Sequence, residues 1–191
     1  MTEVAIPSIN ALIVHDGDGD RLFVKYYDGR TKAQQIEFEQ LLQKKTKNIQ
    51  AKSEAEILVL DNEVIVFKSG SDCRFYVVGS GEENELILSA VLESIFDSIG
   101  TLMKGQVEKR TMLDNLELVL LTIDETIDHG QIMELDSSSV VGRVLMRGSE
   151  QSSSHSQPSQ SQSSGGDLTL SQAFGLARDS FFKTLGKEFL K

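Results

Sequence analysis

The chain has one cysteine in 191 residues, Cys73. A lone thiol cannot close an intrachain disulfide, which points to a reducing compartment. Basic residues are also in deficit. The 19 Lys and Arg stand against 29 Asp and Glu, for a formal net charge of -10 and an isoelectric point near 4.8. That balance argues against nucleic acid as a partner, because phosphate contacts require a basic face. No apolar run reaches about 18 residues, so a membrane-spanning helix is not expected. The opening MTEVAIPSIN has neither a basic start nor a long apolar stretch, and does not read as a secretory signal. The expectation is an acidic cytosolic protein.

Motifs that would carry chemistry are missing as well. Asp16, Asp18 and Asp20 imitate the start of an EF-hand loop. In that register the sixth position is Arg21 where glycine is needed, and the twelfth is Tyr27 where glutamate is needed. The stretch reads as a solvated hairpin turn. Gly79-Ser80-Gly81 lies between a strand and a helix, where a phosphate could bind. Position 84 is asparagine, no Gly-Lys-Ser/Thr follows, and Glu82, Glu83 and Glu85 would repel a phosphate. An ordinary turn is expected. His15, His129 and His155 are scattered, whereas a metal needs clustered ligands. Nothing marks a base beside Cys73, which is expected to be a buried thiol. No catalytic residue, cofactor site or metal site is assigned.

What is present begins with TMLDNLELVLLTIDETIDHGQIMELD, residues 111–136. Thr111 followed by Asp114 resembles a helix start. Leu116, Leu118, Val119, Leu120, Leu121 and Ile123 form a dense apolar run, and Gly130 ends it. A helix apolar on most of its circumference is buried on more than one side. A central helix over 112–128 is therefore expected, with other elements packed around it. Its acidic end, Asp124, Glu125 and Asp128, opposes the helix macrodipole. A compensating charge nearby is expected, and a basic partner surface is one source.

The rest of the chain supplies strands and helices in a clear order. Residues 8–14 and 21–27 read as two strands of a hairpin. Thr31 and Gln34 make a capping box that opens a helix over 31–49. Strands at 55–60, 63–69 and 73–79 follow, separated by Asp61-Asn62 and by Ser69-Gly70-Ser71-Asp72. Such short links imply antiparallel pairing, since a parallel crossover needs about a dozen residues. Ser80 and Glu83 suggest a second capping box, for an apolar helix over 83–103. After the central helix, 131–135 look extended and 137–147 look like a short last helix. Five antiparallel strands with helices on their faces make an α+β domain, expected to span 1–148.

Residues 149–167 differ. Thirteen of the nineteen are Ser or Gln, and none is aliphatic or aromatic. Such a segment has nothing to bury and is expected to act as a flexible tether. Residues 168–191 then read as an amphipathic helix, with Leu170, Phe174, Ala177, Phe181, Leu185 and Phe189 as its stripe. Arg178, Lys183, Lys187 and Lys191 outnumber Asp179 and Glu188, so the tail is mildly basic and the acidity resides in the body. The stripe is the candidate partner-binding site of the tail. It suits a groove on another protein, a membrane surface, or a return to the body.

Three stretches together carry a resemblance: INALIVHDGDGDRLFVKYYD (9–28), the strand trio from Ile57 to Gly79, and LDNLELVLLTIDETIDHGQIMELD (113–136). The chain resembles the coatomer zeta subunits, and LTLSQAFGLARDSFFKTL resembles their carboxyl-terminal stretch. The clathrin-adaptor sigma chains are the nearest related family. The resemblance implies a longin-like fold, with a five-stranded antiparallel sheet sandwiched between helices. It implies a non-enzymatic structural subunit that forms a heterodimer with the large coatomer gamma subunit, beside the other coatomer subunits. It also implies indirect recruitment by an Arf-family GTPase, peripheral association with Golgi membranes and coated vesicles, and a role in Golgi-to-ER and intra-Golgi transport. A sigma chain or a free-standing longin-type trafficking regulator is the alternative.

Overall fold

The computed structural model describes residues 7–49 and 54–153. Its elements run β1 (Ile9–Asp16), β2 (Arg21–Tyr26), α1 (Lys32–Thr46), β3 (Glu56–Leu60), β4 (Glu63–Ser69), β5 (Cys73–Ser80), α2 (Glu85–Leu102), α3 (Lys109–Asp114), α4 (Leu116–Thr126), β6 (Ile127–Asp128), β7 (Gln131–Ile132) and α5 (Ser137–Ser153). The five long strands form one antiparallel sheet in the order β2-β1-β5-β4-β3. The α+β longin-like architecture read from the sequence is therefore present.

The sheet buries both faces, and alternation along its strands divides the core in two. Ala11, Ile13, Ile65, Phe67, Tyr76 and Val78 face α1, where Phe38 and Leu42 cover them. Leu12, Val14, Val64, Val66, Phe75 and Val77 face the other way, against α2, α3 and α4. Because side chains in a strand alternate with a period of two, the one-residue offset assigns each to a different core.

Local signals explain most boundaries. Thr31 caps α1, with Gln34 N–H donating to its hydroxyl and the Gln34 side-chain oxygen accepting from the Thr31 N–H at 2.9 Å. The β3–β4 turn places Asp61 and Asn62 at φ of 47° and 65°, the left-handed pair that suits a tight hairpin. The Ser80–Glu83 box is not formed. Ser80 ends β5, and Asn84 caps α2 by accepting from Leu86 N–H at 2.9 Å. Glu83 instead accepts from the Ser8 N–H at 3.1 Å. A capping box is a pattern of residue types, and a nearer acceptor with the right backbone displaces it.

The expected central helix over 112–128 is two helices. The break falls at Asn115, whose φ and ψ of -125° and 33° are not helical and whose side chain donates to the Thr111 carbonyl at 2.8 Å. Thr111 lies inside α3 and is no cap. The central position belongs to α2, which lies on β4 and β5 and also meets α4 and α5. Leu88, Val91, Leu92, Ile95 and Ile99 of α2 are almost completely buried. In α4 only a stripe of Val119, Thr122, Ile123 and Thr126 reaches that depth. After α4, the chain turns at His129-Gly130 into a short hairpin, β6–β7. Helix α5 then runs to Ser153, beyond the expected end at 147 and into the first residues of the Ser/Gln-rich stretch.

Candidate partner-binding surface

The acidic end of α4 is compensated from within the protein. Asp124 pairs with Lys25 of β2. Glu125, only 7% exposed, lies 2.9 Å from Arg147 Nη2 and 3.8 Å from Arg143 Nη1, both on α5. Arg143 also reaches Glu134 at 2.9 Å, and Asp128 lies 2.7 Å from the His129 ring, which is a cation only when protonated. The expected compensating charge is thus supplied to Asp124 and Glu125 by the protein's own Lys25, Arg143 and Arg147. The i, i+4 spacing of Arg143 and Arg147 on a helix was the available signal, because it places both cations on one face. Lys25 lies in β2, far away in sequence, and gave none.

With these charges spent internally, the helical side offers aliphatic surface. Leu113 and Leu116 are exposed where α3 meets α4, Met133 and Leu135 after β7, and Leu145 on α5. Scattered exposed leucines are ordinary, but several on one helical layer beside neutralised ion pairs suit a lasting protein contact. The second exposed group is Ile57 and Val59 on β3.

The residues weighed for chemistry take structural places. Asp16 accepts from the Asp18 and Asp20 N–H groups at 3.0 and 2.8 Å and from Lys109 Nζ at 2.7 Å, which builds the hairpin turn. Cys73 lies under the Val107 carbonyl, 3.6 Å from its Sγ, and burial pushes the thiol up to about 12. It is a buried thiol, as read. His15 is buried beside Glu39, His129 is exposed at the hairpin tip, and His155 lies outside the described residues. Among the described residues, no group of three or more His, Cys, Asp or Glu is placed to hold a metal. A cleft of about 250 Å³ opens where α1 ends beside the β1–β2 and β4–β5 turns. Its largest polar side chains are engaged: Gln43 donates to the Asp18 carbonyl at 2.6 Å, and Arg74 donates to Ser69 Oγ and to the Thr46 and Ile49 carbonyls. The tail stripe, Leu170, Phe174, Ala177, Phe181, Leu185 and Phe189, lies outside the described residues.

A sheet of this order with a helix on one face and helices on the other is shared by several protein families, so relatives decide between them. The model of the clathrin adaptor complex small chain matches residues 8–151, nearly the whole described body. The chain belongs to that family. Within it, the similar proteins include coatomer zeta subunits. Coatomer subunit zeta-2 of Arabidopsis thaliana is 37% identical over 97% of this chain and 99% of its own length. Coatomer subunit zeta-1 of Homo sapiens is 40% identical over 78% of this chain and 82% of its own. The zeta resemblance read from the sequence is thus confirmed. The Arabidopsis match is long enough to run through the Ser/Gln-rich stretch into the tail, in keeping with the resemblance of LTLSQAFGLARDSFFKTL to the family's carboxyl-terminal stretch. Among solved structures, a chain in a homology model of the full-length AP-3 complex aligns with a TM-score of 0.53 at 16% identity, covering 76% of this chain and 98% of that one. That likeness supports the fold.

Proposed function

We propose that this protein is a non-enzymatic structural subunit of a coatomer vesicle coat, pairing with the large gamma subunit. Membership of the small-chain family, with zeta subunits as relatives, supports a coat-complex subunit. The observation that carries the pairing is the helical side, where internal ion pairs leave Leu113, Leu116, Met133, Leu135 and Leu145 exposed. A large helical partner buries such a surface with little desolvation of charge. On this reading the protein sits in the adaptor-like subcomplex with the other coatomer subunits. It reaches Golgi membranes and coated vesicles peripherally, through Arf-family recruitment of the coat, and serves Golgi-to-ER and intra-Golgi transport. Among the described residues no helix is long and apolar enough to cross a membrane. The tail stripe from Leu170 to Phe189 is a second partner contact, delivered by the tether at high effective concentration.

The test is co-expression with the solenoid region of the coatomer gamma subunit, followed by size-exclusion chromatography with light scattering. Both the full chain and residues 1–153 are used, since α5 ends at Ser153. A one-to-one complex with both places the main interface on the body. A complex lost on truncation moves it to the tail. No complex with either removes the gamma pairing and favours the sigma-chain or free-standing longin reading.

A further inference from the structure

The two edges of the sheet are finished differently. The edge strand β2 shifts register against β1 between Val14 and His15, and its Arg21 and Lys25 are tied to Glu39 and Asp124. Bulges and edge charges of this kind keep a strand from pairing further. The opposite edge, β3, pairs with β4 without a break from Glu56 to Leu60, and Glu56 at its start is the one charged residue of that run. Among the described residues no strand pairs with its outer side.

The side chains of β3 point to both faces, but only one face is covered. Leu58 and Leu60 join the core beneath α1. Ile57 and Val59 point the other way, beside their partners Val66 and Val64, which α2 covers. The cover ends at β4: Val66 is fully buried, while Ile57 is 55% and Val59 66% exposed. Two β-branched residues therefore stand bare on an unpaired edge.

The ends of that edge are acidic. Glu54 precedes the strand and Asp61 follows it. The loop before α2 rests on the β3–β4 turn, since a Cβ on Gly81 would fall 2.5 Å from the Asn62 carbonyl oxygen. This brings Glu82 to the Asp61 end. Glu54, Asp61 and Glu82 are exposed, and among the described residues none of them forms an ion pair.

We propose that the outer edge of β3 docks an extended segment of a partner protein, aliphatic at alternate positions and flanked by Lys or Arg. The segment adds a sixth strand. Its backbone satisfies the open edge, its aliphatic side chains cover Ile57 and Val59, and its basic flanks meet Glu54 at one end and Asp61 at the other. A second copy of this chain fits poorly. Antiparallel pairing of two β3 strands in a register that matches their faces would bring Glu54 of each close to Asp61 of the other with no cation between them, and such like charges repel. This edge is separate from the helical side assigned above, so the proposal stands apart from the gamma pairing.

The test uses the full chain and a short fluorescein-labelled peptide of alternating valine and threonine between lysine pairs. Fluorescence polarisation should report binding, and amide exchange within 56–60 should slow. A peptide with a central proline, or with glutamates for the lysines, should not bind. Combining Ile57→Ser with Val59→Ser should weaken binding by about tenfold or more. Both side chains are exposed, so this variant should keep its melting temperature. Absence of binding, or equal binding by the double-serine variant or the proline peptide, would overturn the proposal. A concentration-dependent homodimer that the double-serine variant loses would overturn it too, by giving the edge to a second copy.

Discussion

Lys109 Nζ donates to Asp16 Oδ2 at 2.7 Å, joining the start of α3 to the end of β1 across 93 residues of chain. The Lys109 N–H also donates to Asp72 Oδ1 at 2.7 Å. Together they hold the segment after α2 over the end of the sheet, with Val107 lying on Cys73.

This clamp makes Cys73 a reporter. In the native protein the thiol should react very slowly with a disulfide reagent at mildly alkaline pH, because it is buried and its pKa is pushed up to about 12. Lys109→Met combined with Asp72→Ala should raise the labelling rate severalfold by opening that segment locally. Unchanged labelling would show that the segment is held by Val107 and Met112 alone.

Glu39 is buried on α1, where its carboxylate accepts from Arg21 at 2.6 and 2.9 Å and from the Tyr26 hydroxyl at 2.9 Å. Burial opposes its ionisation, but hydrogen bonds from His15, Arg21 and Tyr26 outweigh it and hold the carboxyl below its ordinary value. Burial likewise opposes ionisation of Asp16, and Lys109 with the Asp20 and Asp18 amides outweighs it. A carboxyl with a depressed folded pKa contributes stability that is fully present above its unfolded value, near about 4, and lost as pH falls through the folded one. Urea midpoints should therefore hold from neutral pH to about pH 5 and drop below about pH 4. Glu39→Gln should flatten that drop. Glu39→Ala should cost about 3 kcal/mol, because it strands the Arg21 guanidinium and the Tyr26 hydroxyl.

Helices α2 and α4 should answer differently to truncation. Ile95 is fully buried between sheet and helices, so Ile95→Ala should cost about 3 kcal/mol through lost burial and the cavity left behind. Leu116 begins α4 with much of its side chain in water, so Leu116→Ala should cost less than about 1 kcal/mol. Equal costs by denaturant unfolding would contradict the placement of α2 at the centre.

Arg143 and Arg147 jointly neutralise Glu125. Replacing both with alanine leaves a nearly buried carboxylate without a cation and should cost about 2 kcal/mol. Adding Glu125→Gln should recover part of that loss. Strict additivity of the three changes would mean that the ion pairs contribute nothing to one another.

Much of this protein was written in local sequence. The five strands and their antiparallel links followed from alternation and from short connectors such as Asp61-Asn62. The start of α1 followed from Thr31 and Gln34, because a capping box is complete within four residues. The family could be read from three stretches, since a fold and its partners constrain many positions together. What the sequence left open depended on contacts across the chain. The run from Leu116 to Ile123 reads as a core helix, yet α2 occupies the centre because it reaches both the sheet and the outer helices. The break at Asn115 depends on a side chain turning back to Thr111. The charges at the end of α4 meet Lys25, Arg143 and Arg147, none of which is local to it. Nor could the bare state of Ile57 and Val59 be read from a strand of ordinary composition. Burial is set by what covers a residue, and at β3 the cover ends one strand short.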